Sequence, residues 1–264
     1  MKIKEVINYL NNINLELSDI ILIIEGYFKT SYIKAITEDI NVADNKFYYA
    51  KDLLEKDYPP AYLAGYVDVR NLKIFVSEDV LIPRSETIDF IYEYIKPNFN
   101  FNNKSVLDLC TGSGVISFIL KTIYKSSIIT GSDISDAALN LAKKSAEYNK
   151  LDVQFIKSNF LNDIYKKYDY IISNPPYIEE NNKDTYAPFE PRLALYSGED
   201  GLDSYRNIFS NLDSRLNEKG IAFFEIETSN YSSVKELASK MLKGYLIETY
   251  NDIENKERYL ILKK

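Results

Sequence analysis

The spacing of apolar residues changes near residue 60. Before that point they recur at intervals of three and four, which is the period of an amphipathic helix. The apolar positions are Ile3, Val6, Ile7, Leu10, Leu17, Ile20, Ile21 and Ile24. Ser18 is a candidate N-cap, Gly26 is a candidate helix stop, and residues 45–56 form a third helical run. The pattern predicts a small N-terminal helical domain over residues 1–65.

Residues 66–80 alternate between apolar and polar side chains, which predicts a β-hairpin bridge within residues 66–90. Beyond residue 90, short apolar stretches alternate with helical segments. Strands are predicted at residues 105–109, 128–133, 153–157, 168–173, 221–226, 245–250 and 259–262, and helices at 115–123, 136–149, 204–216 and 232–242. This alternation is typical of an α/β domain whose mostly parallel sheet is covered on both faces, here residues 91–264. Ligands bind such sheets at the carboxyl ends of the strands.

The amino-acid composition of the chain excludes or disfavours several classes of function. The chain of 264 residues has no histidine, which excludes Ser-His and Cys-His catalytic pairs and a histidine-bound metal. A formal net charge of −7 argues against a broad grip on nucleic-acid phosphates. The apolar stretch at residues 20–24 is too short to span a bilayer. With Cys110 as the only cysteine, an internal disulfide is impossible, and a reducing cytoplasm is the expected location.

The first predicted strand of the sheet runs into a glycine turn. Residues 108–114 read Asp-Leu-Cys-Thr-Gly-Ser-Gly and lead directly into a helix. Gly112 and Gly114 allow the backbone to approach a ligand, and the helix start offers free N–H groups. A dinucleotide-binding turn would carry a third glycine. The carboxylate of Asp108 would repel a pyrophosphate, but it suits a ligand with an ammonium and a sulfonium group.

The next two strand ends carry residues suited to a nucleoside. Asp133 ends the second strand, where a carboxylate can accept both hydroxyls of a ribose. Asn159 follows the third strand and could bond the edge of an adenine. Phe160 could stack on the face of the same base.

The fourth strand ends in Asn174-Pro175-Pro176-Tyr177. Two prolines fix the backbone and remove donors, so the turn offers mainly acceptors. The Asn174 side-chain oxygen and the Pro175 carbonyl could accept both hydrogens of an –NH2 group and aim the nitrogen lone pair at a methyl donor. Tyr177 could pack on the flat group that carries this nitrogen.

These residues resemble the class I methyltransferases that act on planar amino or amide nitrogens. Four further segments resemble the release-factor glutamine methyltransferases of bacteria and organelles. They are residues 60–65 (PAYLAG), 80–87 (VLIPRSET), 190–195 (EPRLAL) and 200–203 (DGLD). The resemblance runs from about residue 15 onward and is most specific between Pro60 and Asp203.

The resemblance implies a seven-stranded Rossmann-like methyltransferase domain after a small helical domain. It implies S-adenosylmethionine as cofactor, and as substrate the glutamine of the Gly-Gly-Gln loop of class I peptide chain release factors, with no direct nucleic-acid or membrane partner. The cofactor-binding residues would be Asp108, Cys110, Thr111, Gly112, Ser113, Gly114, Asp133, Asn159, Phe160 and Asn174. The catalytic turn would be Asn174, Pro175, Pro176 and Tyr177, and it would bind the substrate together with Pro83 and Arg84. No metal is expected.

Three positions depart from the family pattern. Cys110 and Glu227 stand where the family often has glycine, and Ile88 replaces an acid. Gly112 and Gly114 remain, so the Cys110 change leaves the turn intact, while the other two changes bear on local loop geometry.

Three alternative functions stay open from sequence. The nearest is a glutamine methyltransferase acting on a ribosomal protein, in which the Cys-Thr-Gly-Ser-Gly turn also occurs. An adenine-N6 nucleic-acid methyltransferase shares the Asn-Pro-Pro-Tyr turn but would be expected to carry a basic recognition region. A catalytically silent binding module is disfavoured by the intact Asp108, Gly112, Gly114, Asp133 and Asn174.

Overall fold

The computed structural model describes residues 1–182 and 187–264 and divides into two compact units, Met1–Glu78 and Asp79–Lys264. This division differs from the predicted limits at residues 65 and 90, because the β-hairpin belongs to the first unit. The Val76 N–H donates to the Gly65 carbonyl (3.2 Å), which fastens the end of the hairpin to the helix before it.

The first unit is a helical domain that ends in the hairpin. Its helices are α1 (Ile3–Asn12), α2 (Leu17–Leu22), α3 (Tyr32–Thr37), α4 (Asp44–Leu54) and α5 (Pro60–Ala64), and α2 continues into a π-helical turn, Ile23–Tyr27. Strands β1 (Tyr66–Val69) and β2 (Leu72–Phe75) pair antiparallel, which confirms the predicted hairpin. The apolar stripe that predicted the helices forms the core, with Ile3, Leu10, Ile20 and Ile24 almost completely buried.

Two predicted helix signals in this unit are wrong. Ser18 is not an N-cap, because α2 begins at Leu17 with Glu16 as its N-cap. Gly26 does not stop the helix but lies inside the π-helical turn. A Cβ atom at Gly26 would lie 2.6 Å from the Cβ of Ala64, so glycine is required there for close packing against α5.

The second unit alternates strands and helices as predicted. It begins with α6 (Ser85–Asp89), a π-helical turn (Phe90–Ile95) and α7 (Lys96–Asn98). The elements that follow are β3 (Ser105–Leu109), α8 (Val115–Ile123), β4 (Ile128–Asp133), α9 (Asp136–Asn149), β5 (Gln154–Lys157), β6 (Tyr168–Ser173), α10 (Arg192–Leu195), α11 (Asp203–Arg215), β7 (Leu216–Glu225), a 3-10 turn (Thr228–Asn230), α12 (Tyr231–Met241), β8 (Leu246–Asn251) and β9 (Glu257–Lys263). The helical segment 85–98 was not predicted.

The strands form a seven-stranded sheet in the order β5-β4-β3-β6-β7-β9-β8. Neighbouring strands from β5 to β7 are parallel, and β9 is antiparallel to both β7 and β8. The predicted α/β class and the Rossmann-like, mostly parallel sheet are confirmed.

Successive side chains of a strand point in opposite directions, so each strand presents side chains on both faces of the sheet. Both faces are covered by other elements. Leu107 and Phe224 belong to one core cluster, which includes side chains of α11 and α12. On the other face, Phe90 stacks on Tyr259 with ring centroids 3.9 Å apart and meets Phe223 edge to face at 6.1 Å. The helical segment 85–98 therefore supplies cover for this second face.

Among the described residues, no helix is long and apolar enough to cross a membrane.

The close contact at Gly26 gives a stability prediction. Gly26→Ala places a methyl group against Ala64, and we expect a loss of about 1–3 kcal/mol in the free energy of unfolding, as for overpacking. Urea denaturation followed by circular dichroism measures it. Ser18→Ala, at an exposed position of the same helix, is the control and should change stability by less than about 0.5 kcal/mol. An equal loss in both variants would contradict the packing argument.

Candidate active site

The predicted turns that follow β4, β3 and β6 lie side by side at the edge of the sheet where these strands end. Strand β3 lies between β4 and β6, and Leu109 is opposite both Ser132 and Ser173. The turns that start at Cys110 and Asn174 are therefore neighbours. The chain order reverses between β3 and β6, and this kind of switch point is where open α/β sheets bind ligands.

Asp108 is completely buried, and its two oxygens differ. Oδ2 accepts hydrogen bonds from Thr111 Oγ1 (2.6 Å), Ser117 Oγ (2.7 Å) and the Ser117 N–H (3.0 Å). Oδ1 is buried and has no hydrogen-bond partner among the described residues. Burial raises the pKa of Asp108 to about 6, against the hydrogen bonds from Thr111 and Ser117. A buried acceptor without a donor is costly, so this oxygen fits a cationic ligand group such as an ammonium.

The glycine turn adopts the backbone that only glycine takes easily. Gly112 has φ +52° and Gly114 has φ +88°. A Cβ at Gly114 would lie 2.5 Å from the Phe118 ring, whereas at Gly112 it would meet open space. Cys110 also has a positive φ of 61°, so the family departure at this position is accommodated at some backbone cost. Burial raises the pKa of the Cys110 thiol, which keeps it protonated and unreactive. Thr111 and Ser113 in the same turn are buried.

Asp133 braces the glycine turn from β4. Its Oδ2 accepts from the Gly112 N–H (2.9 Å) and its Oδ1 from the Ser135 N–H (2.9 Å). Burial raises the pKa of Asp133, and these backbone hydrogen bonds oppose the rise. Each carboxylate oxygen has a second lone pair, so the group can still accept ribose hydroxyls. Its structural role in the turn was not foreseen.

Asn159 and Phe160 follow β5 in a tight turn. Asn159 is exposed, and its N–H donates to Asp163 Oδ2 (3.1 Å). Phe160 has φ 49° and is half-buried against the core cluster of the sheet. The adenine contacts of both side chains stay predictions.

The Asn174 side chain is held by Thr87, which is in turn bonded to Glu225. Its Nδ2 donates to Thr87 Oγ1 (3.0 Å), and Thr87 Oγ1 donates to Glu225 Oε2 (2.5 Å). Thr87 and Glu225 are buried, and burial raises the pKa of Glu225 to about 7. Because the Asn174 nitrogen is engaged by Thr87, the side-chain oxygen is the group that is left to accept from a substrate.

Tyr177 is fixed through its backbone. Its N–H donates to the Leu195 carbonyl (3.1 Å), and its carbonyl accepts from Asn230 Nδ2 (3.0 Å). Burial raises the pKa of the Tyr177 hydroxyl, so the ring stays neutral. The side chain is therefore suited to packing and not to acid–base work.

Asn174 and Tyr177 line a pocket of about 300 Å³. The described residues around it are Leu81, Arg84, Asn174, Tyr177, Ile178, Ala187, Glu190, Ala194, Leu195 and Glu227. Arg84 is in the pocket wall, and its guanidinium is paired with Glu190 Oε2 (2.5 Å). Pro83, Pro175 and Pro176 are not among these lining residues.

Several residues of the site were not identified from the sequence. Ser117 and Asn230 have no motif of their own, and Thr87 and Glu190 lie inside matched segments without an assigned role. Glu225 had a usable signal, because an acid inside the apolar run 221–226 (IAFFEI) must be buried.

Within residues 1–182 and 187–264, no group of three or more His, Cys, Asp or Glu side chains is arranged to hold a metal ion.

Comparisons with known proteins point to one family. Residues 86–189 match the Methyltransferase small domain family. A release factor glutamine methyltransferase of Borreliella burgdorferi is 33% identical over 272 residues, covering 99% of this chain and 94% of the relative. A ribosomal protein uL3 glutamine methyltransferase of Francisella tularensis is 34% identical over 194 residues, covering 70% of this chain and 61% of that protein.

A solved methyltransferase structure from Pyrococcus furiosus has a TM-score of 0.57 at 18% identity, and it covers 82% of this chain and 98% of that chain. At this identity the similarity supports the fold alone. The sequence relatives decide the family: with 33% identity over nearly its whole length, the chain belongs to the release factor glutamine methyltransferases.

Proposed function

We propose that this enzyme transfers a methyl group from S-adenosylmethionine to the side-chain amide nitrogen of the glutamine in the Gly-Gly-Gln motif of class I peptide chain release factors. The observation that carries the proposal is the anchored Asn174 amide, whose nitrogen is bound to Thr87 while its oxygen is left to accept from an –NH2 group. The family membership gives the same reaction, and the single thiol fits a reducing cytoplasm as its place of work.

The residues at the ends of β3 and β4 suit this cofactor. The partner-free oxygen of Asp108 can accept from the ammonium group. The open side of Gly112 leaves room for the ligand next to the backbone. Asp133 can accept from the ribose hydroxyls, and Asn159 and Phe160 would contact the adenine. When bound, S-adenosylmethionine supplies a methyl group on a sulfonium with a good leaving group.

The task of the protein is to orient a weak nucleophile. The lone pair of an amide nitrogen is delocalised, so the nitrogen must be held about 3–3.5 Å from the methyl carbon with its lone pair aligned. The Asn174 oxygen and the Pro175 carbonyl would accept the two N–H groups, and the Tyr177 ring would pack on the amide plane. Such orientation is worth roughly 7–11 kcal/mol. The nitrogen becomes acidic as it gains the methyl, so a site without histidine suffices.

The nearest alternative substrate is a ribosomal protein, as the name of the Francisella tularensis relative suggests for that protein. That relative matches 70% of this chain, whereas the Borreliella burgdorferi relative matches 99% of it, including the first unit. This coverage favours release factors. A nucleic-acid substrate is disfavoured by the formal charge of −7.

We assign substrate recognition to the first unit, Met1–Glu78. Every residue assigned to the cofactor or the chemistry lies after Glu78, so this unit has no catalytic duty. Delivering one glutamine among many requires contacts beyond an –NH2 pocket, because specificity is a difference between affinities.

Asn174→Ala should reduce turnover on release factor by about 10²–10³-fold, the usual loss for a preorganised polar partner of the transition state. Cofactor affinity should change little. Methyl transfer at saturating cofactor and calorimetry with S-adenosylmethionine measure the two effects. Asn207→Ala, an exposed position on α11, is the control and should behave as wild type. Lost cofactor binding with normal turnover at saturation would overturn the assignment.

Asp133→Ala should weaken S-adenosylmethionine binding by about 1.5–3 kcal/mol, through the lost ribose contact and the unbraced Gly112 turn. Calorimetric titration measures it. The control is Asp136→Ala, which removes an exposed carboxylate three residues away whose ion pair with Lys157 is worth little. A dissociation constant equal to that of wild type would show that Asp133 does not contact the cofactor.

Removal of residues 1–78 should abolish methylation of intact release factor and preserve binding of S-adenosylmethionine. Circular dichroism must first show that residues 79–264 fold. A folded fragment that methylates release factor at the full-length rate would contradict the recognition role. A fragment that cannot fold or bind cofactor would indicate that the first unit stabilises the second.

A further inference from the structure

Asn174 is useful to the proposed reaction only in one of its two amide orientations. With the oxygen towards the substrate –NH2 group, it accepts a hydrogen bond. Rotated by 180°, it would present its own –NH2 group, and two donors would face each other. Some feature of the protein must therefore choose between these orientations.

The hydrogen-bond chain behind Asn174 makes this choice. A threonine hydroxyl has one proton, and Thr87 donates it to Glu225 Oε2 at 2.5 Å. Thr87 Oγ1 then has no proton left for Asn174 and can only accept from it. The donor is the Asn174 amide nitrogen, 3.0 Å away. Ionised Glu225 accepts only, so the direction of the whole chain is set at its buried end.

We propose that Thr87 and Glu225 are positioning residues that hold the Asn174 amide in its productive orientation, and that protonation of Glu225 reverses this orientation and switches methyl transfer off. The proposal rests on the proposed function, because it assigns the control of the same site. It also explains why a buried acid lies in an apolar strand with Thr87, and no cation, hydrogen-bonded to its carboxylate within the described part of the chain.

The reversal balances in protons. A protonated Glu225 carboxyl donates its proton to Thr87 Oγ1. The Thr87 hydroxyl then donates its own proton to the Asn174 oxygen, and the amide –NH2 turns to the substrate side. No bond between heavy atoms forms or breaks; the one bond gained is the O–H bond of the Glu225 carboxyl, whose proton comes from solvent.

The surroundings of Glu225 place this change near neutral pH. Burial raises its pKa to about 7, and the hydrogen bond from Thr87 and the charge of Arg258 act in the opposite direction. Arg258 is itself paired with Asp252 (2.8 Å). The other titratable groups that face Glu225 are Glu86 on α6, Glu227 after β7, Tyr177 after β6, Tyr205 on α11 and Tyr259 on β9. The Tyr205 hydroxyl donates to the Glu225 backbone carbonyl (2.7 Å) and leaves the carboxylate free for Thr87.

The direction in which kcat changes with pH follows from the raised pKa of Glu225. At about pH 8 and above Glu225 is ionised and the amide is productive, so kcat is at its plateau. As pH falls through the pKa, the productive fraction falls with it, and kcat at pH 6 should be about tenfold below the plateau. Saturating S-adenosylmethionine keeps the titration of Asp108 and Asp133 out of this measurement.

The test compares three substitutions in the full-length enzyme. Thr87→Val keeps the size and removes the hydroxyl, and kcat should fall by about 10²-fold, as for a misplaced catalytic group. Thr87→Ser restores the hydroxyl and should return kcat to within about threefold of wild type. Glu225→Gln can donate or accept, so it should lower the plateau and abolish the fall in kcat between pH 8 and pH 6.

A double-mutant cycle shows whether Thr87 acts through Asn174. Thr87→Val in the Asn174→Ala background should cost less than about twofold, because the amide that Thr87 holds is already absent. Thr122→Val, which removes a hydroxyl that donates to the Phe118 carbonyl on α8, is the matched control and should leave kcat unchanged. Calorimetry with S-adenosylmethionine should give wild-type affinity for every variant.

The outcomes separate the two proposals. If Asn174→Ala is slow while Thr87→Val is as fast as wild type, the relay is wrong and the proposed function stands. If Asn174→Ala is as fast as wild type, the proposed site and the relay both fail. If Glu225→Gln keeps the wild-type pH profile, the switch is overturned even where Thr87→Val is slow.

Discussion

The Asp108 Oδ2 atom accepts three hydrogen bonds, and all of them come from the turn and the helix that follow β3. One carboxylate oxygen therefore fixes the path of the chain from β3 to α8. This end of β3 and β4, with Asp108, Gly112 and Asp133, is called the cofactor edge, after the proposed function. Asp133 fixes the same turn from β4 through the Gly112 N–H. With both acids engaged in this way, the free oxygen of Asp108 is held in place for a ligand. The enzyme thus uses these acids as structural supports, and in the proposed function the same acids bind the cofactor.

The two turns at this edge use opposite backbone chemistry. The glycine turn after β3 offers N–H groups and close approach, which suit a cofactor with a carboxylate and a ribose. The proline turn after β6 lacks two N–H groups and offers acceptors, which suit the donors of a substrate –NH2. Because β3 and β6 are neighbours in register, a methyl donor and a methyl acceptor bound to these turns would meet.

Local pattern was sufficient for most of the sheet domain. Strands 105–109, 128–133 and 168–173 were predicted residue for residue, because each is a short apolar run bounded by a turn. The signals that failed depend on distant residues. Gly26 resembles a helix stop in sequence, yet its small size serves the packing of Ala64, which lies 38 positions later. Thr87 and Glu225 could not be linked to Asn174 from sequence, since one lies on α6 and the other on β7, and only the folded chain brings these elements together. The roles of Asn159 and Phe160 stay predictions.

The sheet order also has a consequence for how the enzyme is made. The contacts of the cofactor edge are local, since Asp108–Ser117 and Gly112–Asp133 span 9 and 21 positions. Those behind the catalytic turn span 87 and 138 positions. Closing long loops slows folding, and β7, which carries Glu225, lies in the sheet between β6 and β9. A chain emerging from the ribosome therefore completes the cofactor edge first. It acquires an Asn174 side chain of defined orientation only after β7, which carries Glu225, has been synthesised.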